Sequence, residues 1–141
     1  MTELRTSEVL HRAADLIEKR GWTQGSGGWG DSPGSSTLCI EGGIAAAVGV
    51  TNPAGFARNA FRDCPAYRAV ADYLAPQVSA SPFVAKAFHK DGIYVWNDDA
   101  DRTASEVVEV LRAAAAIEAA KEDAGAADMF AFMASPVEVS A

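Results

Sequence analysis

"DRTASEVVEVLRAAAAIEAAKEDAG", residues 101–125, decides the fold class. Thr103 and Glu106 form a T-x-x-E capping box, in which each side chain satisfies a backbone N–H at a helix start. Val107, Val110, Leu111, Ala114, Ile117 and Ala120 or Lys121 then recur at helical spacing, and Gly125 is expected to stop the helix. A stripe that long needs other helices to cover it.

Upstream, the chain supplies them. In "SEVLHRAADLIEKR" (7–20), Val9, Leu10, Ala13, Ala14, Leu16 and Ile17 line one face. Thr6 or Ser7 is expected to cap this helix, and Gly21 to end it. A short buried helix is expected from Leu38 to Val48, where Gly42, Gly43 and Ala45–Ala47 let another helix approach closely. Asn52 and Pro53 start a further segment. "DCPAYRAVADYLAP" (63–76) starts another, with Tyr67, Val70, Ala71 and Leu74 as its apolar face and Pro76 closing it. Residues 77–91 are ambiguous, with room for a short helix at "PFVAKAFHK". "GIYVWND" (92–98) holds four consecutive β-prone apolar residues and reads as a strand. The last residues add an apolar turn or two through Met129, Phe130 and Met133, and 135–141 are expected to fray. The expectation is a mainly α, compact bundle of four to six helices, with one short extended segment or small hairpin around 92–97. Residues 1–141 form a single domain in this reading, since no repeat or long linker divides them.

The chain is 49% hydrophobic and 22% charged, in the range of globular proteins. No apolar run approaches the roughly 20 residues of a membrane span, and the charged N-terminus lacks a signal peptide's apolar core. A cytoplasmic location is therefore expected (the host cytosol, if a phage encodes it), with Cys39 and Cys64 reduced. The net charge of −7 lies in the C-terminal third: residues 93–141 hold ten acids against three bases. That distribution disfavours duplex nucleic acid, whose phosphates need clustered Lys and Arg. It is a solvated acidic face or a docking surface for a basic partner.

Candidate chemistry is sparse. Cys39 stands at an expected helix N-terminus, where the dipole lowers a thiol's pKa. His89 and then Asn97 or Asp98 follow in the Cys–His–Asx order of papain-like hydrolases. In that alternative Cys39 attacks an acyl carbon, His89 is the general base, and Asn97 or Asp98 orients its imidazole. No second motif accompanies the cysteine, and cysteine is commonly a buried packing residue. "GSGGWG" (25–30) matches G-x-G-x-x-G, but a helix precedes it and "DSPGSS" follows, so it is no dinucleotide loop. Asn97, Asp99 and Asp101 alternate like calcium ligands, yet Arg102 and Val108 stand where that loop needs Gly and Glu. No cofactor or metal is expected. Trp22 and Trp29 are loop anchors or partner contacts.

"GWTQG" (21–25), "CIEGGI" (39–44) and "WNDDADRTASEVVEVLRAAA" (96–115) together resemble a family of small proteins from actinobacteria and their phages, a family with no established activity. The resemblance spans roughly residues 9–117, loosely in the middle. Gly43 stands where members usually have alanine, Thr23 where they often have cysteine, and "DDADRT" lacks their Pro-Gly. It implies a cytosolic accessory protein of bacterial or phage origin. It also implies that Trp22, Gln24, Cys39, Asn97, Asp98, Arg102 and Thr103, with Trp96 beside them, converge as a polar network, read as structural in preference to a site. The leading expectation is a non-enzymatic interaction protein that binds a host or phage protein. The Cys39 thiol hydrolase or acyl transferase is the alternative, and an acidic DNA mimic a weaker one. Self-association through 42–47 or 113–116 is left open.

Overall fold

The computed structural model describes residues 4–24, 37–50, 63–78, 92–93 and 95–134. They form a mainly helical bundle of α1 (Thr6–Arg20), α2 (Ile40–Ala47), α3 (Pro65–Val78) and α4 (Ala104–Ala134). α1 is the central element, packed along α4 on one side and across α2 on the other. Its Leu10, Ala13, Ala14 and Ile17 are buried with Ile40 and Ile44 of α2, Val70 and Leu74 of α3, and Val107 and Leu111 of α4. The close approach expected at the small residues of α2 is present. A Cβ on Gly43 would stand 2.8 Å from Ile17 Cδ1 and 3.5 Å from the Ala13 carbonyl oxygen, so the missing side chain sets the α1–α2 spacing.

The expected extended segment at 92–97 is not there: residues 92, 93 and 95–97 are helical. Ile93, Trp96 and Asn97, spaced i, i+3, i+4, are 0%, 9% and 1% exposed, whereas Val95 is 60% exposed. A strand would alternate and turn Trp96 and Asn97 to opposite faces, whereas a helical turn buries both, and packing overrides the β propensity of "IYVW". Extended pairing occurs elsewhere, as an isolated parallel bridge between Trp22 and Leu38. Thr23 N donates to Leu38 O (3.1 Å) and Leu38 N to Gly21 O (2.9 Å), which ties the end of α1 to the start of α2. Gly21 makes that exit with φ at +95°, a backbone conformation side chains resist.

Three helix ends also differ from the sequence reading. Neither Thr6 nor Ser7 caps α1; its N-cap is Arg5, with no side-chain cap bond. Glu122 of α4 supplies the missing acceptor, taking hydrogen bonds from Ser7 N (3.2 Å) and Ser7 Oγ (2.7 Å). A carboxylate there also suits the positive end of the α1 dipole. α3 continues past Pro76 to Val78. Proline lacks one helical donor, which costs little in a final turn. α4 passes through Gly125, whose surroundings are open within 4 Å, because the alanines around it sustain the helix against the roughly 1 kcal/mol penalty of glycine. The apolar stripe of α4 is buried at Val107, Val110, Leu111, Ala114 and Ala115, but Ile117, Ala120 and Lys121, expected to continue it, are exposed.

Candidate functional site

The polar residues gather where α1 ends, α2 begins and α4 is approached. Asn97 is their centre. Its Oδ1 accepts from Trp22 Nε1 (2.8 Å) and from the backbone N–H of Ile40 (3.0 Å). Its Nδ2 donates to the Thr23 carbonyl (3.2 Å) and to Asp98 Oδ1 (3.1 Å). Two donors face the oxygen and two acceptors face the nitrogen, which fixes the orientation of the amide. Gln24 Nε2 spans the neighbouring turn, donating to the carbonyls of Asn97 (3.0 Å) and Asp99 (2.6 Å). The Asx turn closes with Asp101 N on Asp99 Oδ1 (3.0 Å), so the alternating acids bond their own backbone.

Arg102 joins this hub to α4. Its guanidinium lies 3.8 Å from the Trp96 ring centroid, Nε donates to the Trp96 carbonyl (3.0 Å), and one terminal nitrogen donates to Glu106 Oε2 (2.9 Å). Glu106 Oε1 accepts from Thr103 N (3.2 Å) while Thr103 Oγ1 accepts from Glu106 N (3.3 Å), the capping box expected from T-x-x-E. The hydrogen bond from Arg102, helped by those from Thr103, holds the Glu106 carboxyl below its usual range. Among the described residues no buried polar side-chain atom lacks a hydrogen-bond partner.

Cys39 is the N-cap of α2, its Sγ accepting from Gly42 N at 3.3 Å. Burial pushes the thiol's pKa up, and the negative charges of Glu41 and Asp98 add to this, outweighing the Gly42 N–H that favours the thiolate. Cys64 is buried at the start of α3, where its carbonyl takes the helix bond from Arg68 N (3.1 Å). His89 and Trp29 lie outside the described residues. No group of three His, Cys, Asp or Glu side chains is placed to hold a metal among the described residues. The geometry thus joins Trp22, Gln24, Trp96, Asn97, Asp98, Arg102 and Thr103 directly or through one shared residue, and it uses their polar atoms to lock three chain segments together.

Sequence reasoning missed two features. One is the α1–α4 seam, where Arg112 pairs with Asp15 (2.7 Å) and Glu18 (2.9 Å) and meets His11 Nδ1 at 3.1 Å. The other is a shallow groove of about 150 Å³ between α3 and α4, lined by Ala69, Asp72, Tyr73, Ala114, Ile117, Glu118 and Lys121. Both join residues far apart in the chain, and nothing local signals them.

Fold and site define a small helical domain closed by a buried asparagine hub. The chain belongs to the DUF6197 family, a family of unknown function whose model matches residues 1–117. Neither the curated proteins nor the solved structures contain a match to it.

Proposed function

We propose that this protein is a non-enzymatic accessory protein of the cytosol, of phage or prophage origin, that works by binding another protein through the distal half of α4. The observation that carries this reading is that α4 outruns the core. Among the residues whose burial is described, Ala115 is its last buried one, and Met129, Phe132 and Met133 further along are 65%, 83% and 75% exposed. Large apolar side chains clustered this openly mark interaction surfaces. The acids around them, Asp123 and Asp128, favour a partner with basic residues at its rim. No helix among the described residues is long and apolar enough to cross a membrane. The resemblance to proteins of actinobacteria and their phages supplies the proposed origin.

Against the thiol alternative stand two observations: the hub engages the Asn97 side chain, and burial pushes the Cys39 pKa up. A raised thiol pKa means that thiolate appears only above the ordinary thiol range. Alkylation of Cys39, measured in Cys64→Ser from about pH 5 to about 9, which reaches the ordinary thiol range, stays slow through neutrality and rises only at the alkaline end. Fast labelling at neutral pH would restore the enzyme reading. The binding reading is tested by affinity capture from actinobacterial lysates, with and without phage infection. Wild type and Cys39→Ala are expected to recover the same protein, and a Phe132→Ser/Met133→Ser variant to lose it. Recovery of nothing above background, or equal recovery by the double variant, would sink it.

A further inference from the structure

The distal half of α4 has a stripe whose order of residues is self-complementary. Ile117, Lys121, Ala124, Asp128 and Phe132 are spaced by four, three, four and four, so they share one face of a 3.6-residue helix. Ile117 is 44% exposed and Phe132 is 83% exposed. Ile117 and Lys121 also form one wall of the groove against Ala69, Asp72 and Tyr73 of α3. Knob and socket therefore lie on a single helix, about 22 Å apart along its axis.

We infer that the occupant of this stripe is a second copy of the chain, docked antiparallel about a two-fold axis at Ala124 and Gly125, with Phe132 of each copy seated in the α3–α4 groove of the other. The inference rests on the reading of distal α4 as a docking surface and names its partner. Charge selects the arrangement. Lys121 pairs within its own helix with Glu118 (3.2 Å) and is exposed enough to take a second carboxylate. Lys121 and Asp128 are the charged members of the stripe, and an antiparallel register centred between Ala124 and Gly125 sets Lys121 of each copy opposite Asp128 of the other. A parallel register would set Lys121 on Lys121 and Asp128 on Asp128. The same antiparallel register sets Ile117 opposite Phe132, and the axis falls on residues without bulk, where a Cβ at Gly125 would meet open space. The socket suits the knob: a groove of about 150 Å³ matches the size of a cavity that takes a benzene ring. Tyr73 offers an aromatic wall. Because the two contacts are reciprocal, the assembly closes as a dimer and does not propagate into a filament.

The test is sedimentation velocity of the full chain across a concentration series, with helical content checked by circular dichroism. Wild type is expected to dimerise reversibly. Phe132→Ser removes two buried rings per dimer and weakens association roughly a hundredfold. Lys121→Glu and Asp128→Lys each set like charges opposite one another twice and weaken it about tenfold. The exchange Lys121→Glu/Asp128→Lys binds more tightly than either single variant, short of wild type by what the lost pairing of Lys121 with Glu118 costs, an effect that no unrelated loss of folding reproduces. A wild type that stays monomeric at millimolar concentration overturns the inference, as does a dimer indifferent to Phe132→Ser or a charge exchange without rescue. A monomeric wild type that still captures a partner, and loses it in Phe132→Ser/Met133→Ser, fails this inference alone. One that captures nothing fails the docking surface as well.

Discussion

Residues 104–115 and 116–134 of α4 share one continuous helix and an alanine-rich composition, but they meet the rest of the chain differently. The proximal half buries Val107, Leu111, Ala114 and Ala115 and is held at its start by the capping box and by Arg102 on Trp96. In the distal half, Ile117, Met129, Phe132 and Met133 are exposed. Glu122 is the distal half's bond back to α1, through Ser7. Helical periodicity thus reports that a segment will form a helix with an apolar face; it does not report whether this chain supplies the cover for that face. One end of the helix is sealed by polar bonds, with no buried polar side-chain atom left over among the described residues, and the other has apolar side chains exposed.

The comparison breaks most sharply at Asn97. Asn97→Leu leaves Trp22 Nε1, the Ile40 N–H and the Thr23 carbonyl without their partner, and is expected to cost about 4 kcal/mol of unfolding free energy in urea titrations. A cost near zero would mean that the hub does not hold the fold. Gly43→Ala comes next, at about 1 kcal/mol, since the new Cβ falls 2.8 Å from Ile17 Cδ1 in a packed core. Combined with Ile17→Val, which removes that methyl but leaves Cγ1 at 3.0 Å, its added cost is expected to shrink without vanishing, and simple additivity would discount the clash. Ser7→Ala removes the hydroxyl, one of the two donors that hold Glu122, and is expected to cost about 1 kcal/mol, the size of a helix cap. Smallest is Phe132→Ser in the distal half, expected to leave monomer stability within about 0.5 kcal/mol of wild type. A large loss there would show that Phe132 is covered by this chain after all, and would erase the contrast between the two halves.

Most of the helical architecture can be read from the chain. Capping at Thr103 and Glu106, the stop at Gly21 and the 3.6-residue stripes of α1, α3 and proximal α4 are local patterns, and local physics suffices to form them. The site was legible in part: Trp22 and Gln24 of "GWTQG" and the residues of "WNDDADRT" form the hub, but the bonding of Asn97 to Thr23 and Ile40 runs through backbone groups that no side-chain pattern announces. The segment 92–97 shows the limit from the other side. Four β-prone residues in a row read as a strand, and the buried triad of Ile93, Trp96 and Asn97 made it helical.

By itself, then, the sequence determined the cores of α1, α2, α3 and α4 and their apolar faces, though not the helical turn within 92–97, because spacing and caps act within a few residues of each other. The tertiary structure alone decided that Glu122 caps α1 from 115 residues away, that Cys39 is a partly buried N-cap whose thiol pKa is pushed up, and that α4 outlasts both Gly125 and the core. Each of those outcomes depends on which groups are desolvated and which are left in water, and burial is a property of the assembled bundle, not of any one stretch of chain.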